Sequence, residues 1–317
     1  MSDKIRLGIS SCLLGAEVRY NGGHKLDRYL RDVLGAYVEY VPVCPEVEVG
    51  LPIPRETLRL VKNEADEVRL VFSRSGEDMT ERMENWARER VRQLEQERLD
   101  GFVFKAKSPS SGMERVKVYD RKGVPKNSGV GVFARIFMEH FPLLPVEEEG
   151  RLNDPGLREN FITAVFTLKR WRLLCARGRT AGNLVEFHSD HKLLLLAHSE
   201  KIYRDLGRLV AAAGTLPAEE LFSRYQSGLQ QALSLKTTVK KHINVLQHIL
   251  GYFKRDLSAD EKREALELID RYRNGLVPLI VPLTLLNHFI RKYDQPYLQR
   301  QVYLNPHPQE LKLFNHV

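Results

Sequence analysis

The residues able to do chemistry in the first half of the chain lie in three short segments. The first is Ser10-Ser11-Cys12-Leu13-Leu14-Gly15, with Arg19-Tyr20-Asn21-Gly22-Gly23 close behind. The second is Cys44-Pro45-Glu46, and the third is Lys107-Ser108-Pro109-Ser110-Ser111-Gly112. Two thiols, a carboxylate and several hydroxyls could serve a metal, a cluster or a thiolate nucleophile. The same residues also have plain structural uses. Isolated cysteine is common in cores, Cys-Pro ends strands, and Ser-Pro-Ser-Ser-Gly makes a turn. No Cys-x-x-Cys pair or His-x-x-x-His helix decides between the two. In the second half, Lys240-Lys241-His242 and Lys254-Arg255, flanked by Tyr252 and Phe253, combine cations with aromatics, which suits phosphate contact and base stacking. His188, His191 and His198 recur at near-helical spacing without a carboxylate or thiol to complete a metal set. They point to a polar packing network or to RNA contact.

Each of the three segments follows a short apolar run, and those runs must position them. Ile5 to Ser10, Tyr37 to Val43 and Phe102 to Ala106 read as strands, as do Val68 to Phe72 and Val116 to Tyr119. Leu26 to Leu34 reads as a helix. Met79 to Leu99 reads as an amphipathic one, with Met83, Trp86, Val91 and Leu94 in its apolar stripe. Strand–helix–strand order implies an α/β fold with an open, mainly parallel sheet, whose ligand sites gather beyond the carboxyl ends of the strands. Ser128-Gly129-Val130-Gly131 reads as the N-terminus of a following helix.

Pro142, Pro145, Glu147 to Glu149, Gly150 and Asn153-Asp154-Pro155-Gly156 read as a polar linker. Beyond it the patterns are helical: Leu157 to Cys175, His191 to Ala213, Ala218 to Leu233, Thr237 to Phe253 and Ala259 to Tyr272. Asp190, Ser258 and Asp260 stand where caps are wanted. The expected organisation is an α/β domain over 1–147 and an all-α domain over 156–317. Of 49 Lys+Arg and 41 Asp+Glu, the first 150 residues hold 24 and 25, so the whole positive excess falls in the second half. That asymmetry points to a module that meets a polyanion. A 317-residue chain with 43% hydrophobic residues and three cysteines is neither disordered nor a disulfide scaffold. The apolar stretch Leu276 to Leu286, broken by Pro278 and Pro282, is too short to span a membrane. Leu7 to Cys12 lacks a signal-peptide core, so a cytoplasmic location is expected.

Taken in order, the three segments resemble the motifs of the thiouracil desulfurase family: Ser10-Ser11-Cys12-Leu13-Leu14-Gly15 with Arg19-Tyr20-Asn21-Gly22, Pro42-Val43-Cys44-Pro45-Glu46, and Ser108-Pro109-Ser110-x-Gly112. The second half is similar to a helical module fused to that family. The matching residues are Phe187-His188-x-x-His191-Lys192, Lys241-His242-x-Asn244-Val245-Leu246-x-His248 with Gly251-Tyr252-Phe253-Lys254, and Pro306-His307-Pro308. The fused arrangement resembles bacterial enzymes that remove sulfur from 4-thiouridine in transfer RNA. The resemblance implies a 4Fe–4S cluster held by three cysteines with one iron open, Cys12 and Cys44 being two of them. The third position falls on Ser111, where the family has cysteine and where a harder, far less acidic ligand stands. It further implies that Glu46 deprotonates the attacking water and that Ser108 orients it or relays a proton. Ser10, Ser11, Arg19, Asn21 and Lys107 would hold the pyrimidine or its phosphate. On the RNA side the candidates are His188, His191, Lys192, Lys240, Lys241, His242 and Lys254. The alternatives are desulfuration of a free thiouracil-type base, a non-catalytic RNA-binding protein with a degenerate cluster site, and a metal-free enzyme using Cys12 as nucleophile.

Overall fold

The computed structural model describes residues 4–316, which divide into two compact units between Asn153 and Asp154. In the first unit, β1 (Ile5–Ser10), β2 (Val38–Val43), β5 (Gly101–Phe104) and β8 (Val146–Glu148) form a parallel sheet in the order β2-β1-β5-β8. Continuous apolar runs such as that of β1 suit strands covered on both faces. The chain passes from β1 to β2 on one side and later reaches β5 on the other, so the order reverses at β1 and opens a crevice at its carboxyl end. Ser10 pairs with Val43, and Ile9 with Val103, so the three neighbouring strands end at nearly one level. The tail of each is one of the three segments singled out above.

A second sheet, β4-β3-β6-β7, is built from β3 (Leu58–Lys62), β4 (Val68–Phe72), β6 (Val116–Tyr119) and β7 (Pro125–Gly129), with only the β3/β6 pair parallel. Between strands lie α1 (Pro45–Glu48), α2 (Thr80–Glu97) and α3 (Val132–His140). Leu60, Leu70, Met83, Val91, Phe102, Val118, Phe133 and Phe137 join both sheets, α2 and α3 in one core. The residues read as a helix over 26–34 instead form a π-helical turn, Tyr29–Val33, and a 3-10 turn, Leu34–Ala36. β3, β7 and β8 are not visible as strand patterns. β7 is polar and exposed, and β8 carries the acidic run that reads as linker. Glu147 and Glu148 are in fact buried, because their carboxylates serve inside the fold.

The second unit is helical: α4 (Pro155–Arg177), α5 (Ala181–His198), α6 (Glu200–Ala211), α7 (Ala218–Ser234), α8 (Val239–Tyr252), α9 (Ala259–Arg273), α10 (Ile280–Lys292) and α11 (Pro296–Gln299). Asp154 caps α4 by accepting from the Leu157 amide at 2.9 Å, with Pro155 in the first turn. The single helix read over 191–213 is two, broken where Ser199 caps α6. Ser258 and Glu261 complete a capping box on α9. Asp190 is not a cap: it lies inside α5 and pairs with Arg300 at 3.0 Å. α10 escapes a pattern reading because of Pro282, which is tolerated in the first turn where its missing N–H has no partner to lose. Among the described residues, no helix is long and apolar enough to cross a membrane.

Candidate active site

A cavity of about 360 Å³ opens at the carboxyl ends of β1, β2 and β5. It is walled by Ser10, Ser11, Cys12, Arg19, Cys44, Glu46, Lys107, Ser108 and Ser111, so most of the residues expected to act together do meet. Cys12 sits in a 3-10 turn after β1, and Cys44 is the N-cap of α1, whose second residue is Glu46. Both thiols are buried. Burial pushes the Cys12 thiol up to about 11, partly opposed by the Lys105 cation. Burial and then the Glu46 charge push Cys44 up to about 12. Burial thus favours the S–H form of both groups over the thiolate.

Ser110 is the residue that pattern reading passes over. It has no exposed surface and donates from Oγ to Glu46 Oε1 at 2.5 Å. Its oxygen lies 3.0 Å from Ser108 Oγ, whose own lone pairs receive the Ser111 amide at 3.2 Å and the Ser110 amide at 3.4 Å. Since the carboxylate can only accept, the proton order is fixed: Ser108 O–H donates to Ser110, and Ser110 O–H to Glu46. The other Glu46 oxygen faces the Cys44 thiol at 3.7 Å and the Arg55 guanidinium at 4.0 Å. Arg55 is anchored on the Val18 carbonyl at 2.9 Å; its place in the loop before β3 gave no sequence signal.

The third segment is held from two sides. The first amides of α3 all reach into it: Gly131 to the Gly112 carbonyl at 2.8 Å, Val132 to Pro109 at 3.2 Å, and Phe133 to Ser110 at 2.9 Å. The helix N-terminus after Ser128-Gly129 therefore anchors a loop and is not open to an anion. From β8 and the residue after it, Glu148 accepts from the Met113 amide at 2.6 Å. Glu149 accepts from the Ala106 amide at 2.7 Å and from Lys105 Nζ at 2.5 Å.

Other expected residues fall differently. The Ser10 hydroxyl accepts from the Lys105 amide at 2.9 Å, so it ties β1 to β5 while lining the cavity. Asn21 does not line it; its side chain closes an exposed turn onto the Gly23 amide at 3.2 Å. Lys107 is exposed at the rim, with a left-handed backbone at φ 60°. In the helical unit the histidines are core. His188 meets Tyr225 Oη at 3.1 Å, His191 the Phe187 carbonyl at 2.7 Å, and His242 Tyr303 Oη at 2.8 Å. All three are buried, because α5 and α8 are packed on the faces that carry them, and none can touch a macromolecule. Lys241 Nζ donates to the His198 and Lys236 carbonyls at 2.6 and 2.9 Å, capping the end of α5. Of that set Lys240 and Lys254 are exposed and Lys192 is half-buried. Phe253 is core, whereas Tyr252 is exposed and stacks on Tyr297 at 5.3 Å between centroids.

The donors at the place of the implied cluster are two thiols and a hydroxyl. Among the described residues no group of three His, Cys, Asp or Glu side chains is placed to hold a metal ion. A cluster anchored by three cysteines does not fit this donor set.

A parallel α/β unit with a polarised hydroxyl chain and two thiols at its topological switch point has the form of a small-ligand site of the α/β class. The comparisons narrow that class. Residues 7–149 match the 2-thiouracil desulfurase family, and residues 192–308 match a family described as a protein of unknown function, DUF1722. The chain belongs to the thiouracil desulfurase-like family, fused to that helical module. It is 32% identical over 156 residues to YbgA of Escherichia coli K12, described as uncharacterized, covering 49% of this chain and 92% of that protein. It is 31% identical over 108 residues to YbbK of Bacillus subtilis 168, likewise uncharacterized, covering 33% of this chain and 71% of that protein. A solved structure described as a 4Fe–4S-dependent thiouracil desulfidase, TudS, is 29% identical, covering 48% of this chain and 95% of that one, with a TM-score of 0.39.

Proposed function

We propose that this chain removes sulfur from 4-thiouridine in transfer RNA by hydrolysis, the α/β unit doing the chemistry and the basic helical unit holding the RNA. Family membership supports desulfuration of thiouracil-type bases. The observation that carries the mechanism is the Ser108–Ser110–Glu46 chain facing two protonated thiols in a cavity of about 360 Å³. Water bound at Ser108 adds to the thiocarbonyl carbon, and its proton passes through Ser108 and Ser110 to Glu46. Negative charge develops on sulfur, where the Cys12 and Cys44 S–H groups are the available donors. Glu46 returns that proton to sulfur, then accepts the adduct's remaining hydroxyl proton along the same chain as the carbon–sulfur bond breaks, leaving a carbonyl and hydrosulfide. No electrons are exchanged. The charge excess of the helical unit, with Lys240, Lys254 and the exposed Tyr252 on its surface, supports the RNA role.

The test is an anaerobic turnover assay on thiolated transfer RNA and on free thiouracil, following loss of the thiocarbonyl absorbance and release of sulfide. Turnover of the RNA, abolished by Glu46→Ala with RNA affinity unchanged, supports the proposal. Turnover of the free base alone assigns the chain to small-molecule desulfuration. RNA binding without turnover of either substrate favours a non-catalytic binder, the reading that Ser111 supports.

A further inference from the structure

The helical unit contains a second cavity, of about 590 Å³, between α10 and the segment that follows α11. Its volume lies within the range of about 300–1,000 Å³ typical of small-ligand sites. Asn287 and Arg291 line it from one face of α10; Lys312 and Asn315 line it from the opposite wall, with Phe314 and His307 deeper in. No aspartate or glutamate lines it. Arg291 and Lys312 are exposed, and neither pairs with a carboxylate among the described residues. Lys312 occupies a left-handed position, φ 53° and ψ 32°, where a lysine is held at a cost of about 1 kcal/mol or more. Behind His307, Arg170 brings a third cation: its Nη1 and the Nε2 of His307 are both buried without a hydrogen-bond partner among the described residues. Burial holds the His307 imidazole down at about 4, against the opposing hydrogen bond to the Pro308 carbonyl, and the Arg170 charge adds a smaller push in the same direction as burial.

We propose that this cavity binds a nucleoside monophosphate unit. The phosphate sits between Arg291 and Lys312, and the base lies against Phe314 with its edge toward the amides of Asn287 and Asn315. Cations without a competing carboxylate select an anion. Side-chain amides offer the paired donor and acceptor that a base edge requires. An apolar ring accepts the base face, as in single-stranded recognition. The unit comes either from a free nucleotide or from an RNA chain. The RNA source alone rests on the function proposed above; the site itself does not.

The experiment is calorimetric titration of the full chain, at low and moderate salt, with uridine and adenosine monophosphates, the corresponding nucleosides, inorganic phosphate and a short single-stranded RNA. It is repeated on an Arg291→Gln, Lys312→Gln double variant whose circular dichroism matches the parent. The expected result is saturable nucleotide binding, at least tenfold tighter than nucleoside or phosphate and weakened at least tenfold in the double variant. Equal binding of phosphate and nucleotide, equal binding of nucleoside and nucleotide, an unaffected double variant, or no saturable binding would each overturn it. Given nucleotide binding, competition by the RNA identifies a chain-borne unit, and absence of competition a free nucleotide. If the double variant keeps full RNA affinity while Lys240 and Lys254 variants lose it, the RNA role stands without this site.

Discussion

At the scale of single residues, the site turns on which of three consecutive-looking serines faces what. Ser108 lines the cavity, Ser110 is wholly enclosed and bridges to Glu46, and Ser111 is buried in the lining of the same cavity as the thiols. Replacing Ser110 by alanine breaks the proton path without opening the cavity. Turnover should fall by about 10²-fold or more, at the lower end of what general acid–base groups contribute, with substrate KM little changed. Steady-state kinetics on the parent and variant check this, and a raised KM with unchanged turnover would assign Ser110 to binding. Ser111 gives a second expectation. Given iron and sulfide anaerobically, the parent should retain little of either after desalting. The Ser111→Cys variant, with a third thiol beside Cys12 and Cys44, should retain both and show the broad visible absorption of an iron–sulfur chromophore. Metal and sulfide analysis reads the outcome independently of activity.

At the scale of elements, the helix α3 and the strand β8 matter because they aim the serine loop. A Cβ on Gly131 would stand 2.5 Å from the Ser110 carbonyl carbon and oxygen, so the helix can approach the loop closely only with glycine there. Gly131→Ala should therefore destabilise the α/β unit by about 1–3 kcal/mol. It should also lower turnover by displacing Ser110 from Glu46; denaturant melts and kinetics measure the two effects separately. The strands that carry the three motifs are apolar enough to be read directly, but β8 is not. Its Glu147 binds Arg151 at 2.6 Å and its Glu148 receives loop amides. An acidic run looks like a solvated linker until the partners of its carboxylates are known. Ser110 was hidden for a related reason: in Ser-Pro-Ser-Ser-Gly all three hydroxyls are chemically equal, and only the anchoring by α3 separates them.

At the scale of the whole molecule, the two units should answer differently to acid and to salt. Eight of the ten histidines lie in the helical unit. Burial holds His188, His198 and His307 down at about 4, and His191 and His242 at about 3, against an ordinary value of 6.5. Below pH 6.5 the unfolded chain binds protons that the folded unit refuses. The stability is thus fully present above 6.5 and is lost as pH falls toward 4. At pH 5 each such group withdraws about 2 kcal/mol, so a few of them suffice to unfold a domain of ordinary stability. A circular dichroism titration should show loss of helix between pH 6 and 4, roughly the window set by these shifts. RNA affinity should fall steeply with salt, and neutralising Lys240 and Lys254 should reduce the log–log slope by about 1 for each phosphate contact removed. A slope unchanged by both substitutions would move the RNA contact elsewhere on the unit.

The class of each half, the three strand-end motifs and the uneven charge are legible along the chain, because apolar periodicity, motif spacing and charge are properties of a local stretch. Which groups work together is set by packing. The order β2-β1-β5-β8 brings Cys12, Cys44 and Ser108 to one cavity, since parallel neighbours end on the same edge of a sheet. Packing also turned His188, His191 and His242 from candidate RNA contacts into neutral core groups, because a helix surrounded on its polar face leaves no route to a macromolecule. The histidine motif was legible as a pattern. Its meaning depended on burial, which is set by every element at once.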